Sequence, residues 1–152
     1  MTRRLGAAVL LCLSWPAAAD ITLRDAWVRA LPPTQPTTAG YVTIANDGDE
    51  PVTLTGASAS AAGRVEIHTT REEGGMVRME RLERLQVGPG AELRLEPGGT
   101  HLMLMALERM PQTGETVSLC LEFVPGGRLC TDAPVQRNGD GQSDHHHHHH
   151  QE

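Results

Sequence analysis

Histidine and methionine recur at fixed intervals in the middle of this 152-residue chain. His68 is followed after ten residues by Met79, and after twenty-one more by His101, with Met103 two positions further on. Outside a terminal run of six, His68 and His101 are the only histidines. Imidazole and thioether are the ligands that monovalent copper selects, whereas Zn²⁺, Mg²⁺ and Ca²⁺ make little use of a neutral thioether. The pattern therefore predicts one Cu(I) ion bound by His68, Met79, His101 and Met103.

Strand periodicity indicates that these side chains can share a face. Residues two apart in a strand point to the same side of a sheet. In the segment 101–106, the two leucines and Ala106 suit a core, which leaves His101, Met103 and Met105 on the opposite, exposed face. The same alternation in the segment 65–68 places His68 away from the core.

A hairpin is predicted to bring His68 to Met79. If its turn is centred on Glu73 and Gly74, residues whose numbers sum to 147 face each other, so that His68 lies opposite Met79. Directly opposed residues have Cβ atoms about 5 Å apart, which is close enough to share an ion. A bulge at Gly74 and Gly75 would change this register.

The other methionines and the nearby arginines are expected to have supporting roles. Met76, Met105 and Met110 should pack against the site or fill gaps in the core, as methionine usually does. Five arginines close to the site in the sequence are expected to form a solvated rim: Arg64, Arg71, Arg78, Arg81 and Arg84.

The chain divides into three parts. Residues 1–19 are typical of a secretory signal peptide: Arg3 and Arg4 precede an apolar segment, and Ala17–Ala19 form a cleavage signal. Cys12 would suit a lipoprotein anchor, but Leu11 precedes it where a small residue is expected, so cleavage and export to the periplasm is the preferred interpretation. Residues 20–137 form one domain, and residues 138–152 form a polar tail predicted to be disordered.

The domain is predicted to be all-β. Short apolar runs alternate with Gly, Pro, Asn and Asp, and no long segment has an apolar stripe at helical spacing, which favours an antiparallel sandwich or barrel. The predicted strands are 21–23, 26–30, 40–45, 52–57, 65–70, 76–82, 91–95, 101–107, 117–123 and 128–135.

Charge excludes some classes of partner. The chain has no lysine, and without Arg3 and Arg4 eleven arginines remain against nineteen acidic residues, a net charge of −8. This balance disfavours nucleic acid and anionic membrane surfaces as partners. A solution monomer is expected.

Two cysteines remain after cleavage, Cys120 and Cys130. The nine residues between them resemble strand, turn and strand, and a loop centred on Pro125 would place the cysteines opposite each other. In an oxidising compartment, such a pair is usually a disulfide. A reduced redox or metal-binding pair is the alternative.

The histidine run at residues 145–150 has two interpretations. It is typical of an engineered affinity tag, although Gln151 and Glu152 follow it and a leader peptide stands at the other end of the chain. If the run is native, imidazoles with Asp144 nearby suit Cu(II), Zn²⁺ or Ni²⁺ rather than Cu(I). We expect it to be an additional Cu(II) site.

The spacing of the four ligands resembles the signature H-x10-M-x21-H-x-M of the PCu(A)C family of periplasmic copper chaperones. Similar segments include 25–29, 39–41, 65–68 and 95–105, and the likeness covers about residues 20–137. The resemblance implies a cupredoxin-like Greek-key β-sandwich that binds one Cu(I). It also implies delivery of copper to the dinuclear copper site of cytochrome c oxidase, beside Sco-type thiol assembly proteins. The Cys120/Cys130 pair and the histidine tail depart from the common pattern.

Other functions remain as alternatives. A copper storage or detoxification protein would use the same ligands. A blue-copper electron carrier needs a cysteine thiolate with two histidines, and no histidine suitably follows Cys120 or Cys130 before the tail. An enzyme is not expected, because both internal histidines are assigned as ligands and no nucleophile set is available.

Overall fold

The computed structural model describes residues 20–139, which form ten β-strands. The predicted signal peptide, residues 1–19, and residues 140–152 of the predicted tail lie outside this range. No helix able to cross a membrane occurs in the part of the chain that the structure describes. The strands are β1 (Ile21–Arg29), β2 (Thr38–Asn46), β3 (Val52–Ala59), β4 (Ala62–Glu73), β5 (Met76–Leu82), β6 (Leu85–Val87), β7 (Glu92–Leu95), β8 (Thr100–Leu107), β9 (Thr116–Val124) and β10 (Gly127–Gln136).

The strands form two layers. The front sheet has the order β5-β4-β8-β2-β1, and β7 pairs with the far end of β2. The back sheet has the order β10-β9-β3-β6, and β1 joins the two layers by pairing with β10. That pairing is parallel, whereas the other strand pairs among residues 20–139 are antiparallel. The all-β, cupredoxin-like sandwich predicted from the sequence is confirmed.

Alternation along β8 and β9 builds the core between the sheets. Leu102 and Leu104 of the front sheet and Leu119 of the back sheet are completely buried. Ala106, predicted to face the core, is instead exposed. Its φ of 52° breaks the strand alternation at that point, and the next residue, Leu107, packs against the core instead. The neighbouring residues 101–105 keep the predicted phase.

Two strand predictions need correction. The first two predicted strands are one, β1, with a register shift between Arg24 and Trp27 where Asp25 has a φ of 52°. The short strand β6 (Leu85–Val87) was not predicted; its three residues are too few to show a period.

The β4–β5 hairpin has a different register from the predicted one. Gly74 and Gly75 have φ values of 61° and 79° and alone form the turn, so the strands continue to Glu73 and Met76. Positive φ at both central residues is what a tight two-residue hairpin turn requires, and glycine adopts it without steric cost. The prediction that His68 lies opposite Met79 is therefore wrong.

The β9–β10 hairpin agrees with the prediction. Cys120 lies directly opposite Cys130, and their sulfur atoms form a disulfide. Leu119 and Leu121, on either side of Cys120, face the core, so the disulfide lies on the outer face of the back sheet. The disulfide is thus on the other side of the sandwich from the outer face of the front sheet.

Candidate metal centre

His68 and His101 are cross-strand neighbours at the centre of the front sheet. They are directly paired between β4 and β8, and their ring centres are 6.1 Å apart. Ile67 and Leu102, beside them, point into the core, so both imidazoles lie on the outer face. The shared face predicted for the two histidines is what the structure shows.

The hydrogen bond of His101 defines which ring nitrogen can bind a metal. Its Nδ1 lies 3.0 Å from the carbonyl oxygen of Gly99. A carbonyl only accepts, so Nδ1–H is the donor and Nε2 carries the lone pair of the neutral ring. Ligating histidines usually donate their other N–H in this way, which fixes the ring for the metal.

His68 has the complementary arrangement. Its Nε2 lies 3.0 Å from Oε2 of Glu66, which points to the same face from two residues earlier. Nδ1 is buried and has no hydrogen-bond partner. Since an ionised carboxylate only accepts, Nε2 carries the proton and the unpartnered Nδ1 carries the lone pair.

The Glu66 carboxylate is held by three cationic or donor groups. Besides His68, Arg64 and Arg81 place Nε and Nη1 at 3.3 Å and 3.5 Å from its Oε1. The hydrogen bond to His68, followed by the charges of Arg81 and Arg64, lowers the pKa of Glu66, although burial opposes this shift. Glu66 is therefore ionised near neutral pH. The arginines were predicted to be a solvated rim; two of them, while exposed, form ion pairs with the centre.

The two predicted methionine ligands lie on opposite sides of His68. Met103 is half-buried and pairs with Glu66, which makes it a diagonal neighbour of His68. Met79 pairs with Thr70 and is the other diagonal neighbour, on β5, with 53% of its surface exposed. Diagonal neighbours have Cα atoms about 7–8 Å apart. The structure thus brings His68, His101 and Met103 together, whereas the Met79 side chain must fold inward to join them.

The remaining methionines are not available as ligands on this face. The sulfur of Met105 accepts a hydrogen bond from Nη2 of Arg64 at 3.6 Å. Met76 pairs with Glu73. It is three residues from Met79 in the same strand, so the two side chains point to opposite faces of the hairpin. Met110 is buried. The positions of Met105 and Met110 fit the predicted supporting roles, whereas Met76 is 58% exposed and does not have the packing role predicted for it.

A pair of aromatic residues extends the centre towards β1. Gly40 pairs with Leu102, so the next residue of β2, Tyr41, lies beside His101. Trp27 of β1 pairs with Tyr41, and the ring centres of Trp27 and Tyr41 are 4.3 Å apart. Burial raises the pKa of Tyr41 and the Arg29 charge opposes this, so its phenol is neutral. The predicted exposed face is in fact covered here: only 6% of His101 and 4% of Tyr41 is accessible.

The donor set fits a soft metal ion. A metal–nitrogen bond is about 2 Å long and each ring nitrogen is about 1 Å from the ring centre, so two imidazoles sharing one ion have centres at most about 6 Å apart. The observed separation of 6.1 Å is at this upper limit, so the two rings must move closer together to share one ion in a bent, four-ligand site. Among residues 20–139, no group of three or more His, Cys, Asp or Glu is placed to hold a metal. The fold and site define a class of protein, β-sandwich domains with a histidine–methionine cluster on one sheet.

Comparison with known proteins identifies the family. Residues 21–135 match the family described as "Putative lipoprotein LpqE-like". A protein of Leifsonia xyli subsp. xyli, named as a "Putative lipoprotein", is 30% identical over 120 residues, which cover 78% of this chain and 71% of that protein. The chain belongs to the LpqE-like family, and the resemblance to PCu(A)C copper chaperones is confirmed.

Solved structures of PCuAC domains have the same fold. The Cu(I) form of DR1885 from Deinococcus radiodurans is 33% identical, with a TM-score of 0.61 over 83% of this chain and 82% of that one. The copper-bound PCuAC domain of PmoF2 has a TM-score of 0.66 at 23% identity, over 79% of this chain and 95% of that domain. The second likeness is evidence for the fold alone.

Proposed function

We propose that this protein is a periplasmic Cu(I) chaperone that binds one ion through His68, Met79, His101 and Met103 and delivers it during cytochrome c oxidase assembly. The observation that carries the proposal is the pair of cross-strand imidazoles, each with one nitrogen hydrogen-bonded and the other left with its lone pair. Methionine sulfur beside that pair selects Cu(I) over harder ions. The Cu(I)-bound relative DR1885 supports the same cargo.

The thioether ligands suit a carrier in an oxidising compartment. Two methionines cannot close into a disulfide, unlike the thiolates that often hold Cu(I). Export is supported by the leader pattern in residues 1–19 and by the lipoprotein descriptions of the family and of the Leifsonia relative. The structural disulfide is also typical of an exported protein.

Unequal exposure of the ligands suggests a route for transfer. Met79, on the edge strand β5, is half-exposed, whereas His101 is buried. An acceptor can displace Met79 first and then compete for the remaining ligands one at a time. A blue-copper site is disfavoured because Cys120 and Cys130 are oxidised and lie on the other sheet.

The proposed recipient is tested in a deletion strain. At limiting copper, cells without the protein should lose cytochrome c oxidase activity, and the wild-type gene should restore it while a His68→Ala, His101→Ala variant should not. Added copper should bypass the defect. Normal oxidase activity with reduced tolerance of high copper would instead favour storage or detoxification, the second candidate, which uses the same ligands.

The position of Gly139, the last residue that the structure describes, supports a metal-capturing role for the histidine tail. A Cβ built on Gly139 would lie 3.1–3.3 Å from three atoms of the Trp27 indole, so this glycine packs on the ring. Trp27 is two strands from His101, a separation of about 10 Å. Five residues lie between Gly139 and His145, and a chain of this length can span up to about 20 Å. The run can therefore reach the centre of its own chain.

We propose that the tail captures Cu(II), which enters the centre after reduction. The full chain should bind at least one more Cu(II) than a protein ending at Gly139, as measured by titration. Replacing His145–His150 with alanine should remove the additional binding, and Asp144→Ala should serve as a milder comparison. Equal Cu(II) stoichiometry in the full and shortened proteins would show that the tail is not a metal site.

A further inference from the structure

Glu66 has the features of a group that acts on the copper ligand His68 and not on copper directly. Its side chain is only 12% exposed, although it lies on a solvent-facing sheet surface between two arginines. Oε2 of the carboxylate forms a hydrogen bond with His68, and Oε1 forms ion pairs with Arg64 and Arg81. Both oxygens are therefore in use without a metal ion.

The hydrogen bond between Glu66 and His68 determines the tautomer of the His68 ring. A neutral imidazole has one N–H and one lone pair, and the choice between its two nitrogens is made by whichever partner the ring meets. Ionised Glu66 accepts only, so it selects the N–H at Nε2 of His68, 3.0 Å away. The nitrogen left with the lone pair is Nδ1, which is buried and unpartnered.

His101 has the opposite arrangement. Its Nδ1–H is used by the Gly99 carbonyl, so the lone pair is on Nε2. The lone pair is therefore on a different nitrogen in each of the two imidazoles. A carboxylate on one histidine and a backbone carbonyl on the other are the two partners most often found behind metal-binding histidines.

We propose that Glu66 is a positioning residue: it fixes the Nε2–H tautomer of His68, so that copper is received by Nδ1 of His68 and by Nε2 of His101. Ion pairs of Arg64 and Arg81 with Oε1 hold the carboxylate in place, while its Oε2 meets the ring of His68. The inference rests on the proposed function for its copper step, but the tautomer itself is a property of the metal-free protein.

The first experiment uses the metal-free full chain. Two-dimensional ¹⁵N–¹H correlation of the ring nitrogens, recorded at mildly alkaline pH, should show His68 protonated at Nε2 and His101 protonated at Nδ1. In Glu66→Gln, the amide can either accept or donate, so His68 should become a mixture of tautomers. The matched control Glu80→Gln, which removes only the exposed ion pair with Arg71 on the same hairpin, should leave His68 unchanged.

The second experiment adds Cu(I). Loss of a hydrogen-bonded partner behind a metal-binding histidine typically lowers metal affinity by 10–100-fold. A competition titration with a chromophoric chelator should show a loss of about that size for Glu66→Gln and none for Glu80→Gln. The ring nitrogens of the loaded wild-type protein should then shift at Nδ1 of His68 and at Nε2 of His101.

The two sets of results separate the inference from the proposed function. If wild-type His68 is protonated at Nδ1 without metal, or binds copper through Nε2, the role of Glu66 is wrong while the chaperone proposal stands. If the wild-type protein has the expected tautomers but binds no Cu(I), the proposed function fails instead. Should Glu66→Gln not fold, the wild-type tautomer still decides the inference.

Discussion

A variant with both Met79→Leu and Met103→Leu is expected to bind Cu(I) at least about 100-fold more weakly than the wild-type protein. Removing a partner behind a ligand already costs 10–100-fold, and here two ligands are removed. Leucine nearly conserves the volume of methionine, so the fold should be retained. The measurement is a competition titration of the protein from Asp20 to Gly139, which lacks the tail histidines.

The structure provides a matched control and an expected order of effects. Met76→Leu removes a methionine of similar exposure from the same strand, 58% against 53% for Met79, but on the other face. It should leave Cu(I) affinity unchanged. Met103→Leu alone should cost more than Met79→Leu alone, because Met103 already lies beside the histidines. Equal affinities of the double variant and the Met76→Leu protein would refute the methionine ligands.

Replacing Cys120 and Cys130 together by alanine is expected to destabilise the domain by up to about 3 kcal/mol. A cross-link that closes a loop of this length restricts the unfolded chain by roughly that amount, given the sequence separation of 10 residues. The free energy of unfolding is measured by urea denaturation, and the wild-type protein treated with a reductant should resemble the variant. The loss of stability should not exceed this amount, because β9 and β10 also pair through their backbones.

The same variant separates the disulfide from the metal centre. Cys120 and Cys130 lie on the back sheet, whereas His68 and His101 lie on the outer face of the front sheet. Under conditions in which the variant is folded, its Cu(I) affinity should therefore remain within about twofold of wild type. The reason is that changes at distant sites usually have independent effects. A large loss of affinity in the folded variant would mean that the cysteines contribute to copper binding.

Much of the site was predictable because strand alternation depends on residue parity alone. His101 and Met103 fall on one face because Leu102 and Leu104 must be buried, and their burial is complete. The disulfide hairpin was predictable for a related reason: a loop centred on Pro125 fixes the pairing of Cys120 with Cys130. Neither inference needs knowledge of which strand lies beside which.

The register of the β4–β5 hairpin could not be obtained from parity. Moving the turn by one residue, from Glu73-Gly74 to Gly74-Gly75, changes the partner of His68 from Met79 to Arg81. Met79 and Arg81 are two residues apart, so they lie on the same face of the strand in either register. The diglycine turn allowed either register until its two positive φ values were known. The direct pairing of His68 with His101, separated by more than thirty residues, depends on the strand order and has no local signal.

Two features of the centre were missed because their roles depend on contacts. Glu66 has the same parity as His68, which was visible in the sequence, but its hydrogen bond and the convergence of Arg64 and Arg81 were not. The covering of the face by Tyr41 and Trp27 likewise depends on β2 and β1 lying beside β8. Ala106 shows the limit of alternation, which fails where a backbone angle leaves the strand region.

The most direct test of the copper site is X-ray absorption at the copper edge of the Cu(I)-loaded protein ending at Gly139. One ion per chain with two nitrogen and two sulfur neighbours is the predicted result, and Met79→Leu should lower the sulfur count to one. Full loading with nitrogen and oxygen neighbours only, and no sulfur in either protein, would contradict the assignment of His68, Met79, His101 and Met103 as the copper ligands.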